Sequence, residues 1–186
     1  MNKQILSPRL TLTRLARQDW ELIHSIYSNP ALMKHIGEVK SDEEIRRTFD
    51  KEIAPWSIKS THWLTWIINE NSSCNNVGLI SICTRNLEKL TAEVGFIILE
   101  AYKGKGYATE AIKIIIEFAV DTLGFKKFIA VCSEEHLGSR RVLEKAGMFL
   151  DEIVPNCTQI DGKLVNDCLY SLESGYFFID RDARGI

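Results

Sequence analysis

Apolar and polar positions alternate at the start of the chain, and their period then changes. Leucine alternates with polar residues over positions 9–15, which is typical of a half-buried strand. Over positions 18–27 the apolar residues recur at intervals of three and four, and this spacing predicts a helix. Ser41 and Glu44 have the spacing of a capping box. We therefore expect a second, highly charged helix to begin there and to continue to about Ile53.

The middle of the chain contains three short apolar segments separated by polar turns. They lie at positions 62–69, 77–84 and 92–99. Their length and the turn residues between them predict an antiparallel meander. A strongly apolar helix is expected from Tyr107 to Leu123, because Gly124 follows it as a helix-ending residue. The unbroken apolar run at 128–132 indicates a strand that is covered on both faces.

Strand, helix and strand in this order form a βαβ unit. The crossover rule makes the strands at 92–99 and 128–132 parallel neighbours or near neighbours. A further helix at 137–146 and a hairpin with its turn at Asp161-Gly162 complete the pattern. The fold class is therefore expected to be α/β (α+β). We expect a mixed central sheet of about seven strands with an antiparallel N-terminal meander, one βαβ crossover and flanking helices.

Composition and charge narrow the functional classes. The length of 186 residues fits one domain over positions 1–186, with a core at about 7–173 and a C-terminal tail at 174–186. A net charge of −2 lacks the global basic field of non-specific nucleic-acid binders. No apolar run is long enough to indicate a signal peptide or a membrane span. The five cysteines include no C-x-x-C pair, so we expect neither a disulfide framework nor a zinc site, and a cytoplasmic location.

A glycine turn precedes the long apolar helix. Gly104-x-Gly106 lets the backbone approach a ligand closely, and the free N–H groups of the first helical turn favour an anion such as a phosphate. Lys103 and Lys105 add positive charge at the same place. A plain tight turn with solvated lysines is the alternative. Two nucleotide-binding motifs are absent, because Thr109 stands where the dinucleotide fingerprint needs its third glycine and Leu99 where a Walker loop needs its first.

Two segments together resemble one enzyme superfamily. The segment from Glu93 to Ala111, which contains the glycine turn, closely resembles the acetyl-CoA motif of the GNAT N-acetyltransferases, and most of all their RimJ/RimL-like branch. The segment from His136 to Met148 resembles the second motif of that branch. The similarity covers about residues 7–173 and implies the GNAT fold. This chain departs from the usual pattern because His136 replaces an Asn, and Leu143 replaces the Tyr that many members use as general acid.

The resemblance implies a binding site for acetyl-CoA. Backbone groups of Ile97, Ile98 and Leu99 are expected to pair with the pantetheine arm, and one of their N–H groups to face the thioester oxygen. The pyrophosphate is expected to lie over a run of residues comprising Lys103, Gly104, Lys105, Gly106, Tyr107, Ala108 and Thr109. His136 and Lys145 are the further candidates for cofactor contacts. Lys145, Arg140 and Arg141 are candidates for contacts with the adenosine phosphates, although a solvated basic helix face is an equal alternative for all three.

Acetyl transfer from a thioester to an amine needs a proton acceptor for the amine and a proton donor for the departing thiolate. Glu93 is the candidate general base, acting directly or through a water, although a surface strand carboxylate is the alternative. Ser139 is the candidate that orients or protonates the sulfur, although local capping explains it too. An acetyl-cysteine route through Cys132 and metal catalysis are both disfavoured, and no metal is expected.

The resemblance implies an N-acetyltransferase that moves acetyl from acetyl-CoA to a primary amine by direct attack in a ternary complex. The acceptor stays open between a protein N-terminus, a polyamine, an aminoglycoside and a small amino compound. A catalytically silent domain that senses acyl-CoA is the alternative. We expect a monomer or homodimer that binds neither nucleic acid nor membrane. The acceptor side is expected from the N-terminal helices and the hairpin at 160–163.

Two groups near the acceptor side are expected to be structural. The tryptophans are assigned to the core, with a platform for the acceptor as the alternative, and the carboxylates to a solvated helix face. The alternative for the carboxylates is an acidic rim that attracts a cationic amine. These residues are Trp56, Trp63 and Trp66, and Glu38, Asp42, Glu43, Glu44, Asp50 and Glu52.

Overall fold

Eight strands form one mixed sheet in the computed structural model, which describes residues 4–160 and 162–176. In chain order they are β1 (Ile5–Leu6), β2 (Leu10–Arg14), β3 (Leu64–Glu70), β4 (Asn76–Asn86), β5 (Thr91–Ile98), β6 (Lys127–Ser133), β7 (Phe149–Ile160) and β8 (Lys163–Glu173). Their order across the sheet is β1-β2-β3-β4-β5-β6-β8-β7. The expected meander and crossover are confirmed. The additional strand, β1, has only two residues, too few to show a period.

Helices cover both faces of this sheet. They are α1 (Trp20–Tyr27), α2 (Pro30–Met33), α3 (Asp42–Glu52), α4 (Tyr107–Leu123) and α5 (Leu137–Lys145). The capping box of Ser41 and Glu44 begins α3 as predicted, and Gly124 ends α4 in the left-handed conformation with φ of 77°. The described part of the chain has no helix that is long and apolar enough to cross a membrane.

Two hydrophobic clusters fill the space between the sheet and the helices. The larger one joins α4 to one face, and the smaller one joins α1 and α3 to the other. Strand β5 contributes to both, since Val94 and Ile98 belong to the larger cluster and Ile97 to the smaller one. This alternation is the period of two expected for a strand that is covered on both faces. The smaller cluster lies on the face where the candidate site is found.

Strands β5 and β6 are parallel neighbours, as predicted, but they are paired over only three positions. The last pair joins Glu93 to Ile129. Strand β6 continues to pair with β8 as far as Ser133, whereas the rest of β5 pairs with β4 alone. A gap therefore opens between β5 and β6. The prediction that β6 is covered on both faces is wrong, because Val131 faces this gap and keeps 45% of its surface exposed.

The hairpin of β7 and β8 forms as predicted, with Gly162 at φ of 75° in its turn. Asp161, the other residue of the predicted turn, lies outside the described residues, as does the part of the predicted C-terminal tail at 177–186.

Candidate active site

A cavity of about 490 Å³ lies where β5 and β6 separate. Residues of both strands line it, together with residues of β4, the N-terminal helices, α5 and the β7–β8 hairpin. The predicted acceptor side is therefore brought next to the predicted cofactor strand. Thr158 and Ile160 represent the hairpin, and His35 and Glu38 represent the segment between α2 and α3.

The edge of β5 that faces the gap presents alternate backbone groups. The N–H of Leu99 donates to the carbonyl oxygen of Val77 on the β4 side, at 2.9 Å. In an antiparallel pair, successive residues alternate between facing the partner strand and facing away. Ile97 therefore faces β4 with Leu99, and the polar backbone groups of Phe96 and Ile98 face the gap. Of the three predicted residues, Ile98 is the one whose N–H is directed toward the gap.

The glycine turn has the conformation that its sequence predicts. Gly104 and Gly106 have φ of 77° and 81°, in the left-handed region that favours glycine. A Cβ at Gly104 would have no heavy atom within 4 Å, apart from its chain neighbours, and so the backbone is open to a ligand there. The N–H groups of Tyr107, Ala108 and Thr109 begin α4, where an α-helix has no internal acceptor for them.

Arg9 contacts this turn, and the sequence did not predict that contact. Its guanidinium donates to the main-chain oxygen of Lys105 at 3.0 Å and to the carboxylate of Glu110 at 2.6 Å. It also lies 5.0 Å from the centre of the Tyr107 ring. Arg9 precedes the turn by almost 100 residues, and no local pattern connects them. It adds a third cation to the two lysines.

The two lysines of the turn are held by different partners. Lys103 forms an ion pair with Glu100 at 2.6 Å, and Lys105 lies 5.0 Å from the centre of the Tyr102 ring. The charge of Lys103 is therefore balanced by a carboxylate, whereas that of Lys105 lies beside an aromatic ring. Lys145, a further predicted cofactor contact, lies on the exposed last turn of α5.

Ser139 and His136 form a hydrogen-bonded pair at the start of α5. The Ser139 Oγ lies 2.7 Å from His136 Nδ1, and both residues line the cavity. The His136 ring stacks on that of His35, with ring centres 4.7 Å apart. Partial burial, together with the nearby His35 and the charge of Lys103, lowers the pKa of His136 to about 4. The imidazole is therefore neutral at physiological pH.

Glu93 lies on β5 at the position where its pairing with β6 ends. The Oε2 of its carboxylate accepts a hydrogen bond from Arg85 Nε at 2.5 Å. The Arg85 guanidinium also lies 5.2 Å from the centre of the Trp63 ring. A Cβ at Gly95 would lie 3.5 Å from that ring, so Trp63 occupies part of the space beside Gly95. Trp63 thus lines the cavity instead of lying in the core, while Trp66 is buried as predicted.

Glu52 is the exception among the acidic residues of α3. We expected a solvated carboxylate, but only 4% of Glu52 is exposed, and this prediction is wrong. The reason is helical geometry, because Glu52 continues the stripe of buried Ile45 and Phe49 at spacings of four and three. The sequence contained this signal. Burial raises the pKa of the Glu52 carboxyl above its ordinary value, although Thr65, Lys40 and Arg14 partly oppose the shift.

Cys132 also lines the cavity, and burial raises the pKa of its thiol to about 12. A thiol with such a pKa is a poor nucleophile at neutral pH, which argues against the acetyl-cysteine route. Within residues 4–160 and 162–176, no three His, Cys, Asp or Glu side chains are grouped so that they could hold a metal ion.

The sequence is similar to those of known acetyltransferases. The sequence model of the family described as acetyltransferase (GNAT) domain matches residues 9–149. The "uncharacterized N-acetyltransferase YnaD" of Bacillus subtilis is 27% identical over 154 residues, which make up 82% of this chain and 86% of that protein. The spermidine N(1)-acetyltransferase of Vibrio cholerae is 24% identical over 149 residues, or 79% and 82% of the two chains.

Solved structures share the fold. The crystal structure of spermidine N-acetyltransferase from Vibrio cholerae in complex with CoA and spermine matches with a TM-score of 0.81 at 20% identity, over 92% of this chain and 99% of that one. An acetyltransferase of the GNAT family from Bacillus anthracis matches with a TM-score of 0.78 at 24% identity, over 92% and 98%. The expected fold is thus confirmed. Because the family match spans most of the sequence, the chain belongs to the GNAT acetyltransferase family, whose members use acetyl-CoA.

Proposed function

We propose that the protein transfers the acetyl group of acetyl-CoA to a primary amine, which attacks the thioester directly in a ternary complex. The observation that carries this proposal is the gap between β5 and β6, which opens beyond Glu93 and leads to the glycine turn before α4. A thioester arm that entered the gap would meet the free edge of β5, while its phosphates would meet the start of a helix.

The cofactor contacts proposed from the sequence fit these elements. The N–H of Ile98 is placed to bond the pantetheine arm as a neighbouring strand would, whereas the backbone N–H groups of Ile97 and Leu99 face β4 and hold this edge in position. The run from Lys103 to Thr109 holds the pyrophosphate, and Arg9 joins it. His136 contacts the cofactor at the thioester end, and Lys145 reaches the adenosine phosphates.

The proposed chemistry uses two side chains of the cavity. Glu93 attracts the incoming ammonium and accepts its proton, directly or through a water. Ser139 protonates or orients the departing sulfur, because its hydroxyl is held by His136 and Leu143 stands where a tyrosine would otherwise act. Acetyl transfer then needs no covalent enzyme intermediate.

The acceptor is proposed to be a cationic amine. The carboxylates that line the cavity outnumber its single lysine. They belong to Glu38, Glu52, Glu93 and Asp167, against Lys40. Such a lining attracts an ammonium group and disfavours an anionic acceptor. The spermidine acetyltransferases among the relatives support a small amine and the RimJ/RimL-like branch. The described free cysteines support a cytoplasmic location, and we propose a monomer or homodimer.

Release of free thiol from acetyl-CoA across a panel of amines tests the function. The panel contains spermidine, a peptide with a free N-terminus, an aminoglycoside and a small amino compound. We expect amine-dependent release with at least one of them, together with CoA binding by calorimetry. Binding without transfer to any amine would contradict the proposal and favour the acyl-CoA sensor.

A further inference from the structure

A chain of two hydroxyl groups connects the buried carboxyl of Glu52 to the floor of the cavity. Thr65 Oγ1 lies 2.6 Å from Glu52 Oε2, and the same Thr65 oxygen lies 2.8 Å from Ser81 Oγ. Thr65 is fully buried and Ser81 is 6% exposed. Glu52 and Ser81 both line the cavity. On the sheet, Ser81 lies directly opposite Gly95, two residues from Glu93.

The direction of these hydrogen bonds depends on the charge of Glu52. An ionised carboxylate can only accept, so the single hydroxyl proton of Thr65 is donated to Glu52. Thr65 must then accept from Ser81, which uses the only proton of Ser81. The lone pairs of Ser81 are left to accept a hydrogen bond from a group in the cavity. When Glu52 is protonated, the direction of each hydrogen bond is reversed, and Ser81 then presents a proton to the cavity.

We propose that Glu52 is a second proton acceptor for the acceptor amine, reached through Ser81 and Thr65. This inference rests on the proposed acetyl transfer. The ammonium N–H bond breaks as Ser81 Oγ takes the proton, Ser81 passes its own proton to Thr65, and Thr65 passes its own to Glu52 Oε2. The nitrogen keeps its electron pair and becomes nucleophilic. The step converts an ammonium and a carboxylate into a neutral amine and a neutral acid.

The surroundings of Glu52 suit this role. Its burial disfavours the carboxylate, so the neutral products of the proton transfer are favoured in the cavity. Three charged or titratable groups act on it from other elements. Arg14 of β2 donates to the main-chain oxygen of Glu52, while Lys40 and Tyr27 line the cavity beside it. Arg14 and Lys40 favour the ionised form, which keeps Glu52 able to accept a proton. Glu93, by contrast, is half-buried on β5 and forms an ion pair with Arg85 at 2.5 Å.

The experiment uses Thr65→Val, which keeps the shape of the side chain but breaks the hydroxyl chain, and Thr65→Ser, which restores the hydroxyl. The acceptor is the amine that the panel shows to react fastest. We expect Thr65→Val to lower kcat by about 10²-fold, which is typical of losing a proton-transfer group, and Thr65→Ser to recover most of it. Ser81→Ala and Glu52→Gln should have effects of similar size, and CoA affinity should not change.

A proton inventory distinguishes a relay from a structural role. In mixtures of H₂O and D₂O, the wild-type rate should depend on the deuterium fraction along a curve, because several protons move together. Thr65→Val should give a straighter line. Thr84→Val is the matched control, since it removes a hydroxyl of the same strand as Ser81 that bonds only the main chain of Ile58 at 2.7 Å. This control should keep the wild-type rate and curvature.

The outcomes separate the two proposals. Amine acetylation with unchanged rate, pH profile and proton inventory in folded Thr65→Val and Ser81→Ala would overturn the relay alone. Failure of Thr65→Ser to recover activity would also overturn it. A protein that binds CoA but acetylates no amine would overturn the proposed function and the relay with it.

Discussion

The hydroxyl oxygen of Ser139 lies 2.7 Å from Nδ1 of His136, the residue that immediately precedes helix α5. In the second motif of the RimJ/RimL-like branch, which the segment from His136 to Met148 resembles, an Asn usually stands at this position. The structure shows that the imidazole holds the Ser139 side chain in the cavity. A neutral His136 can do so as acceptor or donor, depending on its tautomer.

Ser139→Ala should lower kcat by about 10²- to 10⁴-fold where chemistry limits the rate, because the departing thiolate loses its proposed proton donor. Single-turnover kinetics with acetyl-CoA and the best amine measure this. Ser171→Ala is the matched control, since Ser171 has the same 8% exposure but lies on β8 outside the cavity lining. A normal single-turnover rate in Ser139→Ala would show that Ser139 is not the proton donor to the departing thiolate.

His136 should make stability depend on pH. Its pKa is lowered from 6.5 to about 4 in the fold, so between these values the unfolded chain carries a proton that the folded chain does not. This contribution is therefore fully present above pH 6.5 and is lost as the pH falls toward 4. Urea unfolding at several pH values should show a shallower loss in His136→Asn than in the wild type. Equal slopes would contradict the lowered pKa.

Gly106→Val should weaken CoA binding because a side chain would block the close approach of a phosphate to the backbone. The nearest atom to the new Cβ is Nη2 of Arg9, at 3.5 Å, so the protein itself offers little steric conflict. Gly124→Val is the matched control, since it imposes similar strain at φ of 77° on the other end of the same helix. Calorimetry should show loss of affinity in Gly106→Val alone. Equal CoA affinity in both variants would show that the pyrophosphate does not bind at the glycine turn.

Glu93→Gln keeps the shape of the side chain but removes the charge that is proposed to attract and deprotonate the amine. The acid limb of kcat/KM against pH should shift or vanish, with little change in CoA affinity. Glu88→Gln, on the exposed turn between β4 and β5, is the control for a change of net charge. If the profile of Glu93→Gln matched the wild type, the ion pair with Arg85 would be structural only.

Gly78→Ala should destabilise the sheet beside the site. The new Cβ would lie 2.0 Å from the carbonyl oxygen of Ile97, which is backbone and has no rotamer that relieves the contact. We expect a loss of about 1–3 kcal/mol or more in the free energy of unfolding, measured in urea. Gly95→Ala is the comparison, because its Cβ would meet only the Trp63 ring at 3.5 Å, an ordinary contact. Similar unfolding curves for wild type and Gly78→Ala would contradict the prediction.

The local elements and the motifs could be predicted from the sequence. Helix α4 has the predicted bounds, because its apolar period, Gly106 before it and Gly124 after it are local signals that no distant contact overrides. The capping box of Ser41 and Glu44 formed for the same reason. The βαβ order placed β5 beside β6, and the resemblance identified the family.

The contacts between polar side chains of the site, by contrast, could not be predicted, because they join elements that are distant along the chain. Arg9 reaches the glycine turn because β2 lies next to α4 in space, not in sequence. The gap between β5 and β6 depends on where their pairing ends, which periodicity does not encode. The chain of Glu52, Thr65 and Ser81 joins helix α3 to two adjacent strands, across sequence separations of 13 and 16 residues that no local period connects. Burial and hydrogen bonding are properties of the packed neighbours, so they arise only once the sheet and its helices come together.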